Sequence, residues 1–205
     1  MGNTSDFEQR VTEAIRASIA VKQLLLANQG LIALLAKVSE VMVAAFEKGN
    51  KVLLFGNGGS AADAQHVAAE FVGRFAFDRP ALQALALSVN SSCVTAISND
   101  HGFDTVFSRQ IEALGRAGDI AIGISTTGNS PNVLRGLVAA SKMGIHTVAL
   151  TGCTGGELKS VVDYCICVPS NETPRIQECH ILIGHIISEL TEQTIFHEQS
   201  RVSRS

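Results

Sequence analysis

"KVLLFGNGGSAADAQHVAAEF", residues 51–71, reads as an apolar strand, a glycine turn and the start of a helix with no break between them. Gly56, Gly58 and Ala61 satisfy the G-x-G-x-x-G/A spacing of a dinucleotide-binding turn. That use also requires an acid roughly 20 residues on, at the end of the second strand, to hold a ribose. Here the second strand ends "SVNSS", with Asn90 and serines in its place. A nicotinamide site is therefore disfavoured. Ser60 and Asp63 are spaced as a capping box, which leaves the backbone N–H groups of Gly58 and Gly59 free to meet a hydroxyl or an anion. A tight turn that binds nothing fits the same residues.

Outward from this unit the pattern repeats. "ALALSV" (84–89), "IAIGIS" (120–125), "HTVALT" (146–151) and "YCICVP" (164–169) are short apolar runs of strand length. Helical patterns separate most of them, as in "NVLRGLVAASKM", with Ser130 and Pro131 in front and Gly144 behind. Strands alternating with helices predict an α/β fold, a doubly wound five-stranded parallel sheet flanked by helices. Residues 1–48 read as an N-terminal helical arm with a break at "NQG", ahead of an α/β core over 49–196. The polar residues 197–205 are expected to fray. One domain over 1–205 accounts for the whole. Within the arm, Leu24, Leu31, Val38 and Ala45 recur every seven residues, with Leu34, Leu35, Val41 and Met42 filling the stripe. Such an arm packs on its own domain or serves as a subunit interface. "TPRIQECHILIGHIISELTEQTIF" predicts a long last helix with Thr173 as N-cap and Pro174 at its first position.

The net charge of −3 provides no footprint for nucleic acid and none for an anionic membrane surface. Only 17% of the residues are charged, which points to surface hidden between subunits. The polar start "MGNTSDFEQR" lacks a signal core and no apolar run of membrane-spanning length is expected, so a cytoplasmic location is expected. The five cysteines, Cys93, Cys153, Cys165, Cys167 and Cys179, form no C-x-x-C pair and read as reduced packing residues.

Three further groups bear chemistry. "STTGNSPN" follows the third strand and gathers Ser125, Thr126, Thr127 and Ser130 around Gly128 at a helix N-terminus. Hydroxyls, unpaired backbone donors and the positive helix end together suit a phosphate without any lysine. Ser130 alone would suffice as a cap. His66 and Glu70 stand at i and i+4 on one helix face, spaced to meet one ion, one substrate or simply each other. Gln177, His180 and His185 interrupt the apolar last helix, where buried, hydrogen-bonded polar residues are the ordinary reading.

"GNGGSAADAQHVAAEF", "SNDHGFDTVFSRQ", "GDIAIGISTTGNSPNV", "ALTGCTGGEL" and "RIQECHILIGHII" together make the chain resemble the sugar isomerase (SIS) domain family and, within it, the phosphoheptose isomerases. The resemblance implies an SIS-type five-stranded sheet, a homotetramer, and zinc held by His66, Glu70, Gln177 and His185. It implies Glu70 and His185 as the acid/base pair, and sugar-phosphate contacts from Asn57, Gly58, Gly59, Glu70, Asn99, Asp100, Ser125, Thr126, Thr127, Ser130 and Gln177. Thr127 stands where many members have serine, which retains the hydroxyl. The implied reaction takes sedoheptulose 7-phosphate to the aldose D-glycero-D-manno-heptose 7-phosphate through an enediol, for lipopolysaccharide or another surface glycan. A second class on this fold comprises non-catalytic proteins that bind the bacterial replication initiator. Their C-terminal "LFPHQ"-like ending is loosely echoed by "TIFHEQ" here. Those regulators lack equivalents of Glu70 and His185, and this chain has both. Gln177 and His185 stand eight residues apart, so a continuous helix separates them by roughly 12 Å of rise. One ion touching both is then simplest if two chains share the site.

Overall fold

The computed structural model describes residues 4–196. The tail at 197–205 and the end of "TIFHEQ" lie outside the described residues. Two helices, α1 (Thr4–Ala27) and α2 (Gln29–Glu47), precede an alternation of strands and helices. That alternation runs β1 (Val52–Gly56), α3 (Gly59–Val72), β2 (Ala84–Ala86), α4 (Ser91–His101), α5 (Val106–Leu114), β3 (Ile120–Ser125), α6 (Pro131–Lys142), β4 (His146–Thr151), β5 (Tyr164–Cys167) and α7 (Thr173–Ile195). All strand pairs are parallel, in the order β2-β1-β3-β4-β5. The doubly wound sheet expected from the five apolar runs is the sheet observed.

Every residue of β1 and β3 is buried, as strands covered on both faces require. Val52 and Leu54 point into one core with α2, α3 and α7, whereas Leu53 and Phe55 point into the other with α5 and α6. Each fully buried side chain of this kind contributes about 1.5–3 kcal/mol relative to exposure. The two faces of a single strand thus cement opposite layers.

Several local expectations are corrected. Asn28 breaks the arm where "NQG" predicts, its Oδ1 accepting the Leu31 N–H at 3.0 Å as an N-cap. This break resets the helical phase, so Leu31, Val38 and Ala45 are buried but Leu24 is 55% exposed. α2 is by length and composition apolar enough to cross a membrane, contrary to the expectation of no such run. Its Leu35, Val38, Met42 and Phe46 instead belong to the core shared with α7. Ser60 and Asp63 form no capping box: Gly58 is the N-cap of α3, and Ser60 lies buried inside the first turn. Glu172, not Thr173, is the N-cap of α7, which puts Pro174 at the second helical residue.

Candidate active site

The sheet order reverses between β1 and β3, because β1 connects outward to β2 while β3 connects the other way to β4. A crevice at such a switch point is where open α/β sheets bind ligands. The glycine turn after β1 and the hydroxyl loop after β3 both open there. Two reciprocal amide hydrogen bonds join them, Asn57 Nδ2 to Asn132 Oδ1 at 2.9 Å and Asn132 Nδ2 to Asn57 Oδ1 at 2.8 Å. Asn132 is buried at the start of α6 and was not singled out from the sequence. An asparagine directly after Ser130 and Pro131 was the available signal.

In the hydroxyl loop Ser130 caps α6 by position only. Its side chain makes no bond to the helix and instead meets Ser125 Oγ at 2.9 Å. Both hydroxyls therefore lie together at the N-terminus of α6, where the positive end of the helix dipole suits a phosphate. Thr127 Oγ1 accepts from Asn129 N at 3.2 Å, and Thr126 is half-buried beside them. Asn99 and Asp100 are exposed at the end of α4, where Asn99 donates to Asp100 at 2.8 Å. Among the described residues neither hydrogen-bonds to the glycine turn or the hydroxyl loop.

Behind the glycine turn, α3 and α7 run side by side in the same direction. Gly59 faces Gln177, Val67 faces Gly184 and His66 faces His185. The approach is close: a Cβ on Gly184 would stand 2.5 Å from Val67 Cγ2, and one on Gly59 would stand 2.5 Å from Gln177 Nε2. This seam brings His185 against a pair that the sequence already places together. His66 Nε2 is 2.8 Å from His185 Nε2 and 3.2 Å from Glu70 Oε1. One ligand atom from each of the three lies within 4.8 Å of the others. Two imidazole nitrogens and a carboxylate oxygen at this spacing form a donor set suited to zinc with a further position left open. The Phe75 ring flanks His185 at 5.8 Å between centroids.

α7 continues unbroken from Thr173 to Ile195, so Gln177 stays on the glycine turn, roughly two turns from His185. Of the four zinc ligands the resemblance implies, one chain brings three together and leaves Gln177 apart. Glu70 and His185 meet within a single chain, so they need no sharing between subunits. His180, which lies between Gln177 and His185 on this helix, is the buried hydrogen-bonded residue expected. Its Nε2 lies 3.1 Å from the Thr151 carbonyl, and burial lowers its pKa to about 4. Asp63, one turn before His66, has its carboxyl pKa raised by burial, partly offset by the nearby imidazole.

Residues 19–152 match the SIS domain family. The phosphoheptose isomerase of Sulfurimonas denitrificans is 54% identical over 186 residues, 91% of this chain and 95% of the relative. That of Aneurinibacillus thermoaerophilus is 54% identical over 185 residues, covering 90% of this chain and 93% of its own length. This chain belongs to the phosphoheptose isomerases of the SIS domain family. In structure the phosphoheptose isomerase of Neisseria gonorrhoeae superposes with a TM-score of 0.86 at 42% identity, covering 91% of this chain and 99% of that one. These phosphoheptose isomerase relatives favour an enzyme over the initiator-binding class.

Proposed function

We propose that this chain converts sedoheptulose 7-phosphate into D-glycero-D-manno-heptose 7-phosphate in the cytoplasm, as a homotetramer supplying heptose for lipopolysaccharide or another surface glycan. The observation that carries this reading is the convergence of His66, Glu70 and His185 beside a crevice of phosphate-binding type. Isomerising a 2-ketose moves a proton from C1 to C2 while the oxygens exchange their bond orders. One carboxylate positioned on one face can remove the proton at C1 and return it at C2, and Glu70 fills that role. His185 moves the accompanying proton between O1 and O2, a role its imidazole fills only while the nitrogen concerned is not held by a metal. Ser125, Thr126, Thr127 and Ser130 hold the phosphate, with Asn57, Gly58, Gly59, Asn99 and Asp100 on the sugar.

His66, Glu70 and His185 would hold a zinc ion, with Gln177 of a neighbouring copy completing the set. When bound, zinc supplies Lewis acidity at the sugar oxygens as enediolate charge develops. The roughly 12 Å of helix between Gln177 and His185 is what favours a second copy there. The unpartnered stripe Phe7, Val11, Ile15 and Ile19 along α1, each about half exposed, offers a surface on which to assemble one. The test is to incubate the purified protein with sedoheptulose 7-phosphate and follow aldose formation with and without a chelator. Turnover that the chelator abolishes and zinc restores is expected. No aldose from zinc-loaded protein would overturn the reading.

A further inference from the structure

A buried ion pair stands behind the catalytic cluster. The side chains of Arg79 and Glu192 are 0% and 1% exposed, and Arg79 Nε donates to Glu192 Oε2 at 2.9 Å. Nothing in the chemistry of isomerisation calls for these charges, and burying them is costly unless every polar atom finds a partner. The remaining partners show what the pair holds. Arg79 Nη2 donates to the Glu70 carbonyl at 2.8 Å, and Nη1 donates to the carbonyls of Phe71, Gly73 and Pro80. The last carbonyls of a helix lack partners within it, so the guanidinium closes the C-terminus of α3, where a positive charge also suits the helix dipole. Glu192 accepts the Phe75 and Ala76 N–H groups, each at 2.7 Å, and so fixes the loop that follows.

Glu192 lies seven residues beyond His185, two turns along the same face of α7. Arg79 thus grips the turn of α3 that carries Glu70, and Glu192 grips Arg79 from the face of α7 that carries His185. The same carboxylate sets Phe75, whose ring flanks His185. The Phe196 ring covers the guanidinium at 5.8 Å. We infer that Arg79 and Glu192 are positioning residues that set the separation of Glu70 and His185. Neither touches the reacting atoms. Their effect on turnover rests on the isomerase reading, whereas their effect on geometry does not.

Glu192→Asp and Arg79→Lys test the inference, because both keep the charges while shortening the carboxylate arm or losing the planar fork. Two readouts are taken on each variant: steady-state kinetics with sedoheptulose 7-phosphate, and the ring ¹⁵N–¹⁵N coupling through the His66–His185 hydrogen bond in the metal-free protein. We expect cooperative melting in both variants, kcat lowered by about tenfold or more, KM within about threefold of the parent, and the ring coupling lost. A purely structural pair would lower the melting temperature yet leave kcat and the coupling unchanged in the folded protein, and that result overturns the inference. Should either variant fail to fold, the other decides. A parent inactive on sedoheptulose 7-phosphate sinks the isomerase reading, and the ring coupling still judges the positioning role.

Discussion

Replacing Gly59 by alanine separates the role of Gln177 from that of the fold. Gly59 is the first residue of α3 and does not have a positive φ, so alanine is compatible with its backbone. Helix propensity alone favours alanine by up to about 1 kcal/mol. The three atoms nearest the new Cβ would all belong to the far end of Gln177, its Nε2 at 2.5 Å and its Oε1 and Cδ at 3.0 Å. Restoring ordinary contact requires the carboxamide to retreat by about 1 Å, at a rotamer cost of about 0.5–1.5 kcal/mol. The two contributions nearly cancel, so stability should change by less than about 1 kcal/mol, or about 2–4 °C in melting temperature for a chain of this size. A displacement of about 1 Å in a group that orients substrate or metal costs about a hundredfold in turnover. Thermal melts and aldose formation from sedoheptulose 7-phosphate should therefore disagree: melting near the parent, kcat/KM down by about two orders of magnitude. Parent-level activity would refute a role for Gln177. A melting temperature lower by about 10 °C or more would refute the view that the turn presses only on a mobile amide. Gly184→Ala is the contrast, since its Cβ would meet the branched, buried Val67 and push α3 from α7.

Glu70→Gln should retain the fold and bind sedoheptulose 7-phosphate in calorimetry but lose isomerisation, because an amide preserves shape and cannot take the C1 proton; near-parent activity would remove Glu70 from that role. Ser125→Ala and Ser130→Ala should each raise the Kd of phosphorylated sugars by about tenfold and leave the weak binding of unphosphorylated analogues unchanged, whereas equal losses would indicate general damage to the loop. His180 links stability to pH. Its pKa in the folded chain is lowered to about 4 by burial, so its contribution is full above the unfolded value of about 6.5 and is lost as pH falls toward 4. Urea unfolding across that window should show about 3 kcal/mol of loss that is absent in His180→Gln. Co-assembled Gln177→Ala and His185→Ala chains, each inactive alone, should regain part of the parent rate if two copies complete one site. Verified mixed oligomers that stay inactive would confine the site to one chain.

What the sequence determined by itself were the features whose physics is local. The apolar runs of β1 and β3 announce strands buried on both faces, "NQG" announces a break in the helical arm, and the cluster at 125–130 announces hydroxyls gathered at a helix N-terminus. The i, i+4 spacing of His66 and Glu70 likewise places two donors together on any helix. Their third partner was not local: His185 lies 119 residues from His66 in the chain and reaches it only because α3 and α7 pack in parallel at a register where Gly184 admits Val67. That same register puts Gln177 on the glycine turn, so the four ligands the family implies divide three to one. The hydroxyl of Ser130 could equally have capped its helix, and only the position of Ser125 across the loop decided otherwise. Arg79 and Glu192 carried no sequence signal at all, since an arginine and a glutamate 113 residues apart read as two solvated charges until the fold buries them against each other. Spacing along a helix fixes which side chains share a face, but the packing of one helix on another fixes what that face meets.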